Sequence, residues 1–275
     1  MMYKLKLDRY RRHKLELDRY ITLREEEHNQ EVYRLERKLE EYLGLTSEKD
    51  IRVEEEYLRL CRRLKLVYVE RWSSEDDKEL DAMSDWDWYD LPGSDPDDYP
   101  KGLDTSTYVS PPSSLRCSKG YMGTWGVCKV SNVLVLNVGR IVGWTRTTIF
   151  GFKFRVPRPP GTQDSTLRYN GYYVTVNMTT SRKYFGWGSS NHIVNALLTD
   201  TDKSYLPLGS WHQYRVTWWK VGSVLYIRFQ SRKNEDWHTL ISSSDSNNRY
   251  DTETYQRPGI YGNSDWHDDT EIWAL

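Results

Sequence analysis

Scarcity in three respects narrows what this chain can be. Among its 275 residues there are only three cysteines, too few for a disulfide framework, and their spacings match no zinc site. Cys117 and Cys128 can be bridged across neighbouring strands, although free thiols are the expected state. Neither sign of charge is in excess: 39 basic residues face 40 acidic ones, a net charge of -1. That balance gives no overall field for nucleic acid or for an anionic membrane. Long apolar runs are missing too, and none approaches the roughly 20 residues of a membrane span. The opening segment, Met1-Met-Tyr-Lys-Leu-Lys-Leu-Asp-Arg-Tyr10, lacks the apolar core of a signal peptide. The expectation is synthesis in the cytoplasm, with any outside location reached by another route such as cell lysis.

What the chain does have is aromatic. Twelve Trp and 21 Tyr stand against five Phe. Trp and Tyr combine an apolar body with a polar tip, which suits both strands and wet binding surfaces.

Residues 1–72 contain one glycine and no proline and are dense in Leu, Glu, Arg and Lys. Val32, Leu35, Leu39 and Tyr42 step by three and four, and so do Val53, Tyr57, Leu60, Leu64 and Val67. Such spacing draws a stripe along a helix. It predicts a long helix to about Leu43, a cap at Gly44, and a second helix from Ser47 to Arg71. The first 20 residues also permit a short strand at Tyr3-Lys-Leu-Lys-Leu7. A narrow stripe on a charged helix wants partner helices. The stripes from Val32 to Tyr42 and from Val53 to Leu64 are therefore expected to build an oligomerisation stalk, a coiled coil or an anchor on a larger assembly; a helical hairpin is the alternative.

Residues 73–114 are acidic and carry Pro and few apolar groups, and are expected to form a largely extended linker. Within them, Asp85-Trp-Asp-Trp-Tyr-Asp90 reads either as a short docking element or as aromatics that pack on the neighbouring domain, the second being preferred.

From 115 to 275 the pattern is strand and turn. Phe150, Phe152 and Phe154 alternate with Gly151 and Lys153; Tyr172, Val174 and Val176 alternate with Tyr173, Thr175 and Asn177. Val133–Val138 reads as a buried strand. The strongest signal is 211–230, two alternating arms joined at Val221-Gly222. Many short strands without helical pattern predict an antiparallel β-sandwich or jelly roll. The fold class is thus α plus all-β and multidomain.

The order of these strands carries a resemblance. Gly123-Thr-Trp-Gly-Val127 is followed by Ile149-Phe-Gly-Phe-Lys-Phe-Arg-Val156 and Asn170-Gly-Tyr-Tyr-Val-Thr-Val176. Then come Leu208-Gly-Ser-Trp-His-Gln-Tyr-Arg-Val-Thr-Trp-Trp219, Asp236-Trp-His-Thr-Leu240, Arg257-Pro-Gly-Ile-Tyr-Gly262 and Asp269-Thr-Glu-Ile-Trp-Ala-Leu275. The region resembles the concanavalin A-like lectin/glucanase superfamily in its laminin G-like branches. The resemblance implies a sandwich that binds glycans or cleaves them. Retaining glucanases of the family carry two Glu with an Asp between them at alternate positions, which sets two carboxylates about 5 Å apart. Here Glu235, Glu253 and Glu271 each stand alone, so an enzyme is not expected.

If the apolar faces make the core, the outward faces collect Tyr173, Asn177, Arg215, Thr217, Trp219, Tyr226 and Arg228. Aromatic planes and planar hydrogen-bonding groups are what sugar recognition needs. A loop with Trp266 is a second candidate. Laminin G-like modules often carry calcium, for which Asn263, Asp265, Asp268 and Asp269 would be the ligands; no other cofactor is implied. The expected whole is a non-catalytic adhesion protein, a helical anchor displaying a glycan-binding sandwich, suited to a virion as a capsid decoration or fibre protein. Its partners would be further copies or a larger assembly, with neither nucleic acid nor membrane insertion. A glycoside-active enzyme and a purely structural assembly protein are the alternatives.

Overall fold

The computed structural model describes residues 2–42, 48–72, 85–89, 102–104, 106, 108–109, 114–117, 124–146, 149–157, 159–160, 170–177, 180, 182–189, 192–200, 210–233, 236–263 and 265–275. They fall into two compact units, Met1–Leu66 with Leu275, and Val67–Ala274.

The first unit is built on α1 (Met2–Tyr42) and α2 (Glu48–Cys61). With no Gly or Pro inside it and many strong helix formers, α1 runs unbroken for about 60 Å at 1.5 Å per residue. The strand alternative for its first 20 residues does not occur. His28 reaches from α1 to the end of α2, where its Nε2 lies 2.7 Å from the carbonyl oxygen of Cys61. A helix C-terminus leaves its last carbonyls without intrahelical donors, and the imidazole N–H supplies one. The two helices are thus paired as a hairpin. Val32, Tyr57, Leu60 and Leu64 are buried in a single copy, and Leu35 and Val53 are half-buried. The residues expected to form an oligomer seam are therefore largely covered within one chain. The side chains of Leu39 and Tyr42 lie outside the described residues.

The second helix ends earlier than its periodicity suggests. Lys65–Glu70 is a strand, β1. Val67, Tyr68 and Val69 favour a pleated surface, and a neighbouring strand is available to pair with them, which overrides the helical spacing of Leu64 and Val67.

The second unit is a sandwich of two sheets. Its further strands are β2 (Trp86–Tyr89), β3 (Gly102–Asp104), β4 (Ser114–Cys117), β5 (Thr124–Cys128), β6 (Gly139–Arg146), β7 (Ile149–Val156), β8 (Gly171–Asn177), β9 (Arg182–Ser189), β10 (His192–Asp200), β11 (His212–Val221), β12 (Val224–Lys233), β13 (Asp236–Asp245), β14 (Arg257–Asn263) and β15 (Asp265–Ala274). One sheet runs β13-β12-β11-β6-β15-β4-β3, with β1 also pairing β15; the other runs β10-β9-β8-β7-β14-β5-β2. The sandwich therefore draws strands from before residue 115. Trp86, in the stretch expected to be a linker, is 2% exposed and belongs to the core, which is the packing reading of the Asp-Trp-Asp-Trp element.

The hairpin at 211–230 is present with its turn one residue later. Val221 pairs Val224, so Gly222 and Ser223 form a two-residue loop. Gly222 has φ +61, as the primed hairpin turns require at their first central position. Val133–Val138 is not a strand: Ser131–Val133 is a turn of 3-10 helix, Val133 and Leu136 are buried and Val135 is exposed.

Alternation delivers one face of each sheet to a common core. Phe154 stacks between Tyr172 at 5.4 Å and Trp218 at 4.9 Å, and Phe150 meets Tyr214 at 4.3 Å. Burying each such side chain contributes about 1.5–3 kcal/mol. The Trp218 indole N–H donates to the Leu136 carbonyl at 2.9 Å. Gly139 leaves its room: a Cβ there would lie 3.1 Å from the Trp218 ring and 2.9 Å from the Trp273 carbonyl oxygen. Cys61 and Cys128 are buried free thiols, so no Cys117–Cys128 bridge forms.

The segment after β13 is held by ions. Arg155, fully buried, donates to Gln256, Asn248 and Asp251, the last at 2.9 Å. Lys220 Nζ donates to both Asp251 oxygens at 2.8 Å. Arg155, Asn248 and Tyr250 all have positive φ, a backbone cost that these contacts offset. The bonds from Lys220 hold the Asp251 carboxyl below the usual range, with Arg155 adding to the effect. A depressed carboxylate stabilises the fold above its unfolded pKa, about 3.9, and that contribution is lost as pH falls through the lower folded value. Asp251→Asn should cost about 1–2 kcal/mol at pH 7, the lower part of the charged-bond range because the carboxylate is 34% exposed and water screens it. Denaturant titrations at pH 7 and pH 3 should show the difference from the native protein shrinking at pH 3.

Candidate functional site

The candidate sugar-binding residues do not share a face. Tyr172, Val174 and Val176 point to the core, so Tyr173 and Asn177 lie on the outside of the sheet containing β8. Tyr214, Val216 and Trp218 point to the same core from the other sheet, so Arg215, Thr217 and Trp219 lie on the opposite outside. One ligand cannot span them. Tyr173 is buried in a small cluster with Val127, Val156 and Tyr184, and the Asn177 side chain accepts the Thr180 backbone N–H at 3.1 Å, closing a turn.

The outer face of the eight-stranded sheet is the richer of the two. Cross-strand register sets its rows. Glu271, Val142, Arg215, Gln230 and Thr239 make one row; Trp273, Arg140, Thr217, Arg228 and Ser242 make the next; Trp219, Tyr226 and Ser244 follow. On the other side Trp144, Gln213, Arg232 and Trp237 line up. Arginines and indoles thus share this face across five strands, β15, β6, β11, β12 and β13.

They hold each other. The Arg215 guanidinium lies 4.0 Å over the Trp237 ring and its Nε donates to Gln230 Oε1 at 2.8 Å. Arg232 donates to Gln213 Oε1 at 3.2 Å and also lies over Trp237, at 6.0 Å. Arg228 sits 5.7 Å over Trp219, which stacks on Tyr226 at 5.8 Å. Arg140 Nε donates to Thr217 Oγ1 at 3.0 Å. Guanidinium over an indole face is worth about 0.5–2 kcal/mol, more where water is excluded.

The centre of this face is closed. Arg215, Thr217 and Trp219 are 1%, 0% and 2% exposed, contrary to the expectation of an open platform. The physical reason is width. β11 is an interior strand, and long side chains from β6 on one side and from β12 and β13 on the other meet its own: Arg140 at Thr217, Arg228 at Trp219 and Trp237 at Arg215. Tyr226, Arg228, Arg232 and Trp237 keep partial exposure, and Thr239, Ser242 and Ser244 are exposed. The accessible part is therefore the margin formed by β12 and β13. Trp237, Arg232, Arg140 and Gln230 were missed as site residues. Trp237 and Arg232 lie in strands whose alternation is readable, but only register places them beside Arg215.

The second candidate is not a loop. Asn263 ends β14 and Asp265 begins β15. Trp266 is half-buried with Arg146 5.6 Å over its ring. Asp268 accepts the Val109 backbone N–H at 2.7 Å and the Asp269 N–H at 2.9 Å, and Asp269 lies 3.5 Å from Arg71 Nε. These carboxylates are committed to the fold, and no cluster of three metal-ligating His, Cys, Asp or Glu occurs among the described residues. The side chains of Asn263 and Asp265 lie outside them. Two further carboxylates of the sandwich are similarly engaged: Glu271 accepts the Trp273 indole N–H at 3.0 Å, and Asp245 accepts from Tyr172 at 2.6 Å and Arg249 at 2.7 Å. Register also sets His212, Thr145 and His267 in one row on the core side.

No family model and no curated protein matches the chain. Among solved structures, the galectin-like protein of unknown function from Bacillus subtilis is 9% identical, over 75% of this chain and 94% of its own, with a TM-score of 0.48. Lectin I-B4 from Griffonia simplicifolia, in metal-free form, is 10% identical over 76% of this chain and all of its own, with a TM-score of 0.44. A conserved carbohydrate esterase from the Shiga toxin-encoding bacteriophage phi24B is 11% identical over 75% and 99%, with a TM-score of 0.40. Two of these three are named as a lectin and as having a galectin-like fold, and the third as a carbohydrate esterase. At such scores nothing about function follows from them.

Trp219 separates a covered face from an open one. Trp219→Ala should destabilise the fold by about 3–5 kcal/mol, as for a buried indole. A solvated Trp would cost under about 0.5 kcal/mol. Denaturant unfolding of the two proteins decides between them.

Proposed function

We propose that the protein is a non-catalytic carbohydrate-binding module acting in adhesion or assembly, and that sugar is met at the β12–β13 margin. One observation carries this reading. Trp237 offers a partly exposed indole steadied by Arg215 beneath the same sheet face, and a row of exposed hydroxyls at Thr239, Ser242 and Ser244 continues from it. Tyr226 and Arg228 stand opposite Ser244 and Ser242. An aromatic plane for the C–H face of a pyranose and fixed guanidinium and hydroxyl groups for its oxygens are the required elements. Asp245, Asp251, Asp268 and Glu271 are engaged in holding strands and turns, and none of them belongs to the Glu-x-Asp-x-Glu alternation of a retaining glucanase. In this reading the helical hairpin attaches the module to a larger assembly, such as a virion or another surface, and the sandwich is displayed.

A second reading, an assembly protein whose sandwich meets only other proteins, is favoured by the closure of the Arg215–Trp219 centre. A glycan array distinguishes the two. The native protein should bind a subset of glycans, and Trp237→Ala should weaken that binding at least tenfold while keeping the cooperative unfolding transition. Absence of binding to any glycan would leave the assembly reading in its place.

A further inference from the structure

The outer face of the eight-stranded sheet is closed at its centre, yet one row near its end stays open. Trp144 on β6 pairs Gln213 on β11, Gln213 pairs Arg232 on β12, and Arg232 pairs Trp237 on β13. An indole stands at each end of this row, and both are half-buried. Neighbouring strands lie about 4.8 Å apart, so three strand gaps set the two Trp backbones roughly 14 Å apart. Gln213 is 3% exposed and makes a low floor between them. Arg232 donates to its Oε1 at 3.2 Å and lies 6.0 Å over the Trp237 ring.

Alternation aims Trp144 outward. Its neighbour Gly143 faces the core: a Cβ there would lie 3.6 Å from the Phe152 ring of the opposite sheet. The next residue along a strand must point the other way. Past Trp144 the row meets Asp268, which is fully buried and holds the Val109 N–H. The open path bends there to Trp266, two residues earlier on β15 and half-buried. Trp266 is the diagonal neighbour of Trp144, about 7–8 Å away by sheet geometry. It pairs with exposed Arg146, whose guanidinium lies 5.6 Å over its ring. Three half-buried indoles thus mark a path from β13 to β15.

A single sugar ring is too short for this arrangement. An indole offers its plane to the C–H face of one pyranose, and planes carried on strands roughly 14 Å apart need rings joined in a chain. Between them the Gln213 amide and the Arg232 guanidinium are flat hydrogen-bonding groups suited to the hydroxyls of an intervening ring. Arg232 is already held by Gln213 and Trp237, so little side-chain freedom is lost when a ligand arrives.

We propose, resting on the carbohydrate-binding reading of Trp237, that the ligand is a linear oligosaccharide chain laid across β13, β12, β11 and β6 towards Trp266, and not a single terminal sugar. Trp237 is where this path meets the hydroxyl row of Thr239, Ser242 and Ser244, and it serves any sugar bound at the margin. Trp144 serves the chain alone.

Calorimetric titration of the full chain with cello-, xylo-, manno- and chito-oligosaccharides, and with any other glycan bound on the array, tests this, each series graded in length from the monosaccharide upward. Affinity should rise with length and level off once the chain spans Trp237 and Trp144, with a gain of about tenfold for the further stacked ring. In Trp144→Ala that gain should vanish while the shortest ligand binds as it does to the native protein. Trp237→Ala should weaken binding at every length. Should Trp144→Ala fail to fold, the length series on the native protein decides by itself. Affinity independent of length, or a gain that survives in Trp144→Ala, would overturn the chain and leave a module for terminal sugars. Absence of binding at any length to every glycan would remove the carbohydrate reading, and the chain with it.

Discussion

Trp218 and Phe154 meet across the gap between the sheets, and most of the sandwich is arranged to permit that contact. The indole N–H needs an acceptor, provided by the Leu136 carbonyl on the irregular segment before β6. It needs space on the adjacent strand, provided by Gly139. Phe154 in turn needs Tyr172 and Phe185 to stack against, which fixes the order of β7, β8 and β9. With only five Phe in the chain, the core depends on Trp and Tyr, whose polar tips must be accommodated. The result is a core stitched at its rim: the Tyr172 hydroxyl on Asp245, the Tyr250 hydroxyl on the Gly188 carbonyl, the Trp86 indole on Glu70.

The same chemistry explains why the outer face closed over itself. An arginine between two indoles can bury its stem and stack its guanidinium without an acid beside it. Repeated across β11, β12 and β13, this makes a second layer of packing outside the sheet. Affinity for a ligand, where it exists, is then displaced to the margin, where β13 pairs with one strand among the described residues and its Thr239, Ser242 and Ser244 remain wet. Rigid aromatic groups at such a margin bind with little loss of side-chain freedom.

The sequence made much of this legible, because alternation is a local property. Phe150 to Phe154, Tyr172 to Val176 and both arms of the 211–230 hairpin could be assigned to a core face without any knowledge of their neighbours. The failures were not local. Val133–Val138 is apolar for the sake of two buried positions, Val133 and Leu136, on a turn. Leu64 and Val67 continue a helical stripe by coincidence, because β15, some 200 residues away in the chain, offers a strand partner. Whether Arg215 and Thr217 are open or covered depends on Trp237 and Arg140, which no window around β11 contains. And an outward-facing residue could not be assigned to one sheet or the other until register was known, so Tyr173 and Arg215 were grouped as one surface when they lie on opposite sides.

The position of β15 bears on how the chain reaches this state. In order of synthesis it follows the other described strands, yet in space it lies inside the eight-stranded sheet, between β6 and β4, with β1 also against it. Until Asp265–Ala274 has left the ribosome, β6 has one open edge and β1 and β4 lack the partner they share, so Ile141 is without Ile272 opposite it and Leu115 without His267. At about 5–20 residues per second of synthesis, the rest of the chain waits with those edges unpaired. The sheet can close only by admitting its last strand into the middle, and until then its exposed edges are open to pairing with other chains.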